Sequence, residues 1–471
     1  MRAWKALGLD GAVAYTFLAR GVCIVGSAGT VLLIARFLTP VEQGYYYTLL
    51  SLVSLQLVFE MGFSFVVQQL AAHECVHLKL HEDGRVSGDA AAHARLASAL
   101  RLSLRWYTAA AAAMGLILAP LGAVFFARHA AAATAPVAWQ GPWLAAVAAS
   151  AAGLWCTPFY SFLEGCGQVR AVASMRLGQA FASLAPAWLA MLLGHGLYSP
   201  ALVIAGQTCT GLVFLAGRRR ILAGLLAYPA GKAAIRWTSE VWPFQWRIAV
   251  SWMCSYFTVQ AFIPILFMVR GPVEAGQMGM SISITGYMTV LALAWTSPKA
   301  TPFGEMVARR QFQGLETLFR RTLGQSLAVF LVIAVAAFGA AALLPGLAPR
   351  LAARMVSPPL FAILMLAAGA NCVVQSVATL LRSFKREPFL VQSLAVAALT
   401  LLLGSISAPR LGIAGAAASY LAATGFAGLP AALWIYARAR RQYLAPRPSS
   451  SSANGKGVAA NPMMDAAGVA Q

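Results

Sequence analysis

The chain has 471 residues, of which 60% are hydrophobic and only 10% charged, with a mean hydropathy of +0.71 and a formal net charge of +21. Soluble globular chains carry roughly 25% charged residues, so this composition excludes a string of water-soluble domains and points to a membrane-embedded protein. The Lys and Arg excess is spread along the chain and not gathered in one patch, which excludes a nucleic-acid-binding domain.

About twelve apolar runs are long enough to cross a hydrocarbon core as helices. They lie near residues 12–36, 41–70, 102–127, 142–163, 172–194, 198–216, 246–269, 275–297, 323–346, 358–380, 389–408 and 412–436. The first carries Arg20 and continues to Arg36 without a cleavage site, so it reads as a span and not as a removed signal peptide.

The second run opens with TPVEQGYYYTLLSLVSL, Thr39 to Leu55, in which Thr39, Pro40 and Glu42 spell a capping box with proline at the first helical position. Further on, LVFEMGF sets Glu60 among apolar residues. Arg20 and Glu60 each lie 20 positions from Pro40, so two antiparallel helices bring them to one depth. A charge at that depth needs a partner or an aqueous cavity, and the expectation is that Glu60 is the counter-ion of Arg20. The pair is either a helix lock or a charged spot on a substrate path.

Beyond this span, HECVH (His73 to His77, with His81 one turn on) matches the HExxH pattern of zinc hydrolases. It falls past the span end, and no aspartate lies in any span to complete a ligand set, so a solvated helix end is expected and no metal or other cofactor. The segments between the second and third and between the eighth and ninth spans read as basic amphipathic helices against anionic headgroups. The seven cysteines show no CxxC pair and read as small packing residues.

After the seventh run comes GPVEAGQMGMSISITGY, Gly271 to Tyr287, so PVExG recurs 232 residues after its first occurrence. Gly271, Pro272 and Glu274 are expected to repeat the capping arrangement. The fold class read from this is an all-α polytopic membrane protein of about 12 transmembrane helices in two six-helix bundles, residues 1–216 and 246–440. A basic linker, 217–245, joins them, and a tail, 441–471, rich in Ser, Ala, Gly and Pro reads as disordered. By count, about 28 of the 35 Lys and Arg fall on one set of alternate connections, and six (Arg36, Arg128, Arg270, Arg350, Arg354 and Arg410) on the other. The positive-inside rule then places both termini in the cytoplasm.

The stretch RFLTPVEQGYYYTLLSLVSLQLVFEMGFSFVVQQLAAHE, Arg36 to Glu74, resembles the N-terminal portion of bacterial polysaccharide flippases of the multidrug/oligosaccharidyl-lipid/polysaccharide exporter superfamily. The resemblance implies two six-helix lobes in a bacterial inner membrane that flip a polyprenyl-diphosphate-linked glycan outward by alternating access, alongside glycosyltransferases and a polymerase. It implies that Arg20 holds the anionic headgroup. Arg247 and Lys299 are the nearest cationic candidates in the second bundle, and both lie near span ends. Gln179, Gln207, Gln260, Asn371 and Gln375 are polar side chains that either contact a glycan or join helices. Two other readings stand beside this one. A cation-coupled drug exporter of the same superfamily needs an unpaired acid in its cavity. A membrane enzyme acting on lipid-linked sugars needs a large outer loop with acids, and here the outer loops are short.

Overall fold

The computed structural model describes residues 11–75, 78–80, 86–130, 137–229, 235–384 and 388–444, and nearly all of them are helical. Span 1 is α1 (Gly11–Phe37). Span 2 is assembled from α2 (Pro40–Val53), the short α3 (Gln56–Glu60) and α4 (Phe63–Cys75). In the segment read as amphipathic, helix continues to Cys75 and resumes at the start of α5 (Ala90–Ala130), and between them two short strands, β1 (Leu78–Leu80) and β2 (Val86–Gly88), pair antiparallel. Helices α6 (Gln140–Gly165), α7 (Val169–Leu192) and α8 (Ser199–Ala216) follow. In the connection after them, α9 (Arg219–Ala227) buries Ile221, Leu222 and Leu225.

The second half begins with α10 (Trp242–Val259) and α11 (Phe262–Arg270), followed by α12 (Pro272–Ala292) and α13 (Ala300–Ala308). Then come α14 (Phe312–Leu347), a single turn α15 (Pro349–Ala352), α16 (Pro358–Arg382) and α17 (Leu390–Leu421). A π-helical turn, Ala422–Gly428, joins α17 to α18 (Leu429–Leu444).

Seven of the described helices are long and apolar enough to cross a membrane, and three bent pairs raise the number to ten. One continuous element, Leu390–Tyr443, is in fact two passes. Gly412 within it adopts φ +59° and ψ −137°, which no right-handed helix contains. The hydroxyls of Ser407 and Ser419 lie 2.8 Å apart across it, whereas twelve residues of straight helix would separate them by about 18 Å. The chain therefore folds back at Gly412, making spans 11 and 12. With α7, whose 24 residues include Arg170 and Arg176 and so dilute its hydropathy, the described residues provide the twelve passes of the sequence reading.

Packing sorts the passes into two groups that meet along one seam. Span 1 lies on α7, α4 lies on α6, and α10 lies on α17. The seam is α2 against α12, so the two PVExG segments that repeat in sequence touch in space. Gly44 and Gly276 are 232 positions apart and face each other: a methyl group on Gly44 would come within 2.0 Å of the Pro272 carbonyl oxygen. The Gln43 amide crosses the seam and donates to the carbonyls of Gly276 (3.0 Å) and Arg354 (2.9 Å). Tyr45, Phe125, Phe126 and Phe267 stack around the same end, burying area that holds the halves together.

The predicted caps divide. Thr39 and Glu42 form the capping box, with the Thr39 N–H and hydroxyl donating to the Glu42 carboxylate at 2.8 and 2.9 Å. Glu274 does not cap its own helix: Gly271 has no side chain to supply the other half of a capping box, and its backbone N–H, which Glu274 would accept, donates instead to the Leu266 carbonyl at 3.2 Å. Its carboxylate instead accepts the backbone N–H of Ile413 at 3.2 Å, just after the Gly412 turn. The second copy of the motif has become a brace between spans 8 and 12.

Candidate functional site

Two of the passes break at positions related by the same 232-residue offset. Span 2 bends by 43° after Glu60, where Met61 (φ +52°) and Gly62 (φ +62°) are both left-handed. Span 8 bends by 41° between Ala292 and Ser297. Span 7 also bends by 41°, at Gln260 and Ala261. A break leaves backbone carbonyls and N–H groups without helical partners, and at membrane depth such groups are tolerated only against protein or a water-filled cavity.

Polar side chains gather at these breaks. At the first, Glu60 is buried, the Ser64 hydroxyl donates to its carboxylate, and the Tyr107 hydroxyl of α5 faces the same pair. At the second, the buried hydroxyl of Thr296 lies 2.8 Å from that of Ser326 and 3.5 Å from that of Ser376. Ser64 and Thr296 are again 232 positions apart. At the third, the Gln260 carbonyl accepts from the Ser51 hydroxyl at 2.8 Å, across the seam.

The expected Arg20–Glu60 ion pair is not formed among the described residues. Equal depth held no information about direction around the helix axis: α1 is laid on α7, while the Glu60 segment is laid on α5 and α10. Arg20 is half-buried on α1. Arg247 is exposed, with its guanidinium 5.5 Å from the Trp246 ring, and Lys299 is exposed at the turn after the span 8 break. Arg20, Glu60, Gln260, Arg247 and Lys299 are thus not brought into one cluster. Gln179 donates to the Gln207 carbonyl at 2.8 Å, joining α7 to α8.

A cavity of about 320 Å³ opens within the second group of helices. Its lining comes from α10 (Ser251, Trp252, Cys254, Ser255, Thr258, Val259), α16 (Asn371, Val374, Gln375, Ala378, Arg382), α17 (Gln392, Ser393, Val396) and the π-helical turn (Thr424, Gly428), with Leu57 and Phe389. Leu57 lies one helical turn before Glu60, so the cavity reaches the break of span 2. The side-chain amides of Asn371 and Gln375 make no hydrogen bond to the described residues and remain available to a guest. The π-helical turn widens the wall here, and Gln392 holds it by donating to the Gly428 carbonyl at 2.9 Å. Among the described residues no carboxylate lines this space. Asn371 and Gln375 were legible as polar residues inside a span; their convergence with hydroxyls from three other passes was not.

The zinc motif meets a different fate. Glu74 is buried and bonded to Arg95 at 2.8 Å, and Arg95 also reaches Glu240 at 2.8 Å. A glutamate held this way is unsuited to serve as a general base. Among the described residues no group of His, Cys, Asp and Glu could hold a metal; His77 and His81 lie outside them. Glu240, between Arg236 and α10, is held below the usual carboxylate range by the Arg236 backbone N–H and by Arg95. An acid that sequence reasoning passed over is Glu316 on α14. It accepts from Arg320 (2.7 Å), Tyr436 (2.7 Å) and Tyr443 (2.8 Å) and pairs with Arg440 (2.9 Å), pinning α18 to α14.

This architecture, twelve helical passes in two groups meeting at a seam of repeated motifs, is that of solved transporters. The chain is similar over 92% of its length, and 96% of theirs, to the inward-facing conformation of a multidrug resistance MATE family transporter of the MOP superfamily, with a TM-score of 0.58 and 13% identity. It matches the Vibrio cholerae MATE transporter VcmN in the bent form over 92% of this chain and 97% of that one, with TM-score 0.56 and 14% identity. A eukaryotic MATE transporter is matched over 92% and 99%, with TM-score 0.53 and 12% identity. No family model matches the sequence, and no curated protein matches it at a significant level. The likeness is one of fold alone and does not single out polysaccharide flippases.

Proposed function

We propose that this protein is an alternating-access exporter of amphiphilic organic cargo, with the cavity between α10, α16, α17 and the π-helical turn as its cargo site. The observation that carries this reading is that cavity: about 320 Å³, of the size of small-molecule sites, and walled by Trp252 and Phe389 together with amides and hydroxyls. The fold, matched by multidrug transporters, supports the same reading. The seam at Gly44 and Gly276 closes one end, and by the distribution of Lys and Arg that end faces outward, with both termini in the cytoplasm.

We assign coupling to Glu60. It is a buried carboxylate with a hydroxyl partner, Ser64, and no basic one among the described residues, and it sits at a break in a span beside the cavity. Such a group can exchange a proton or hold a cation as the lobes alternate.

A lipid-linked glycan is the second reading of the same cavity. It is favoured by a lining rich in amides and hydroxyls, with no carboxylate among the described residues and with Arg382 in the wall, since a guanidinium suits a phosphate. In that case Arg20 contributes as the resemblance implies.

One experiment separates the two. Purified protein in proteoliposomes with an imposed proton gradient is offered an amphiphilic dye in one set and a polyprenyl-diphosphate-linked sugar in the other. Replacing Asn371 and Gln375 together by Ala is expected to reduce transport of the true cargo at least tenfold. Movement of neither cargo under either gradient direction, by protein that binds neither, would overturn the assignment.

A further inference from the structure

Seven cysteines scattered over 471 residues read as packing residues, yet the fold brings two of them into contact. The sulfurs of Cys75 and Cys166, 91 positions apart, lie 2.7 Å from each other. Cys75 is the last residue of α4, and Cys166 follows the last residue of α6. Both are half-buried free thiols, while Cys156, Cys254 and Cys372 are fully buried and Cys23 and Cys209 are exposed on other helices.

The contact is built by backbone. Gly165, immediately before Cys166, lies so close to α4 that a methyl group there would come within 2.4 Å of the Gln68 carbonyl oxygen and 2.7 Å of the Ala71 side chain. Only a residue without a side chain lets the two helix ends meet this closely, and their meeting sets the sulfurs together. Charges on both sides are already satisfied. Glu74 is bonded to Arg95, Glu164 to Arg176 at 3.0 Å, and Gln168 to Arg218 at 2.9 Å. Neither an acid nor a base at this corner depends on the thiols.

We infer that Cys75 and Cys166 form a redox-active dithiol that a small disulfide of the glutathione class converts to an intramolecular disulfide, stapling the far half of span 2 to the end of span 4. One cysteine thiolate attacks a sulfur of the small disulfide, whose S–S bond breaks and releases one thiolate. The second cysteine thiolate then attacks the mixed disulfide and releases the other. Two protein thiols are oxidised, the small disulfide is reduced to two thiols, and the two protons pass to the departing sulfurs. In a reducing compartment the pair rests as thiols, so it closes only when the poise turns oxidising. The staple lies beyond the Met61–Gly62 break, on the segment whose tilt that break sets.

The test uses the full chain in detergent or nanodiscs, first reduced and then equilibrated with oxidised glutathione. Alkylation under denaturing conditions and peptide mass spectrometry are expected to show two of the seven thiols lost, and a cross-linked peptide pair containing Cys75 and Cys166. The other five should stay alkylatable, and dithiothreitol should restore all seven. In Cys166→Ser the same treatment should leave Cys75 as a mixed disulfide with glutathione or as a free thiol. Gly165→Val, which parts the two helix ends, should slow cross-link formation at least tenfold at normal expression. Equal loss of Cys23 or Cys209, or formation of the cross-link at an unchanged rate in Gly165→Val, would overturn the inference. Neither readout requires transport, so this result stands or falls apart from the exporter reading.

Discussion

Glu60 shows how much a single buried carboxylate demands of its surroundings. Its carboxylate accepts from the Ser64 hydroxyl, with no cation beside it among the described residues, so the site tolerates a neutral side chain of the same shape. Glu60→Gln is therefore expected to insert and fold with normal yield but to lose gradient-driven transport by at least tenfold, measured in proteoliposomes against an inverted gradient. Transport by the Gln variant that still follows the proton gradient would remove Glu60 from the coupling path. Glu74 is the opposite case. Its side chain is only 7% exposed and depends on Arg95, and stranding such a charge costs ~3 kcal/mol, the low end for a broken buried pair because Arg95 is itself a third exposed. Arg95→Gln should lower the thermal midpoint in detergent, while Arg236→Gln should not, since Arg236 holds Glu240 through its backbone N–H. Because Glu240 sits below its ordinary range, its part in this anchorage is present above the unfolded carboxylate pKa and is lost as pH falls through the lower folded value. These roles were only half legible. That Glu60 and Arg20 are charges inside spans follows from the string of letters, but whether they face each other depends on which helices lie alongside. Local periodicity does not encode that.

At the scale of elements, what the sequence reveals is what neighbouring residues decide. The capping box at Thr39 and Glu42 forms as read, because it needs only four consecutive residues. The second copy does not form: glycine at the cap position lacks the side-chain half, its N–H is held by the Leu266 carbonyl, and Glu274 is taken up by a distant N–H that no local pattern foretells. The breaks at Met61–Gly62 and after Ala292 carry a weak signal, a glycine in one and none in the other, yet they fall at equivalent places because the two halves share one bent design. The span 2 break makes a definite prediction. Gly62 is left-handed, and a side chain there would also meet Ile248 at 2.5 Å. Gly62→Val is expected to destabilise by about 2–3 kcal/mol, the sum of backbone strain and a tight contact, and to straighten span 2. Loss of transport with an unchanged thermal midpoint would show that the break tolerates a β-branched residue.

For the whole molecule the decisive feature is the seam. On the exporter reading proposed above, alternating access would require the α2–α12 contact to part while the opposite end of the two groups closes, so the seam would have to be tight but separable. Its chemistry fits this: small residues at Gly44, Gly276 and Gly279, and a few hydrogen bonds through Gln43 and Ser51. Among the described residues no ion pair crosses it. Gly276→Leu tests the idea directly. A first side-chain carbon at 276 already comes within 2.9–3.2 Å of backbone atoms of Gln43 and Gly44, so a leucine cannot be absorbed by a rotamer change and must push the helices apart, at about 1–3 kcal/mol. Ser51 is buried and hydrogen-bonded across the seam, which makes it the reporter. With Cys23 and Cys209 changed to Ser, Ser51→Cys should resist a membrane-impermeant maleimide applied to the outside of intact cells. Adding Gly276→Leu should speed that labelling several-fold and depress transport, because the closed arrangement is no longer reached. Faster labelling only from the cytoplasmic side of inverted vesicles would reverse the orientation drawn from the charge distribution. Labelling unchanged from both sides, with leucine in place and expression normal, would mean that the two repeated motifs meet in a fixed joint and that the moving interface lies elsewhere.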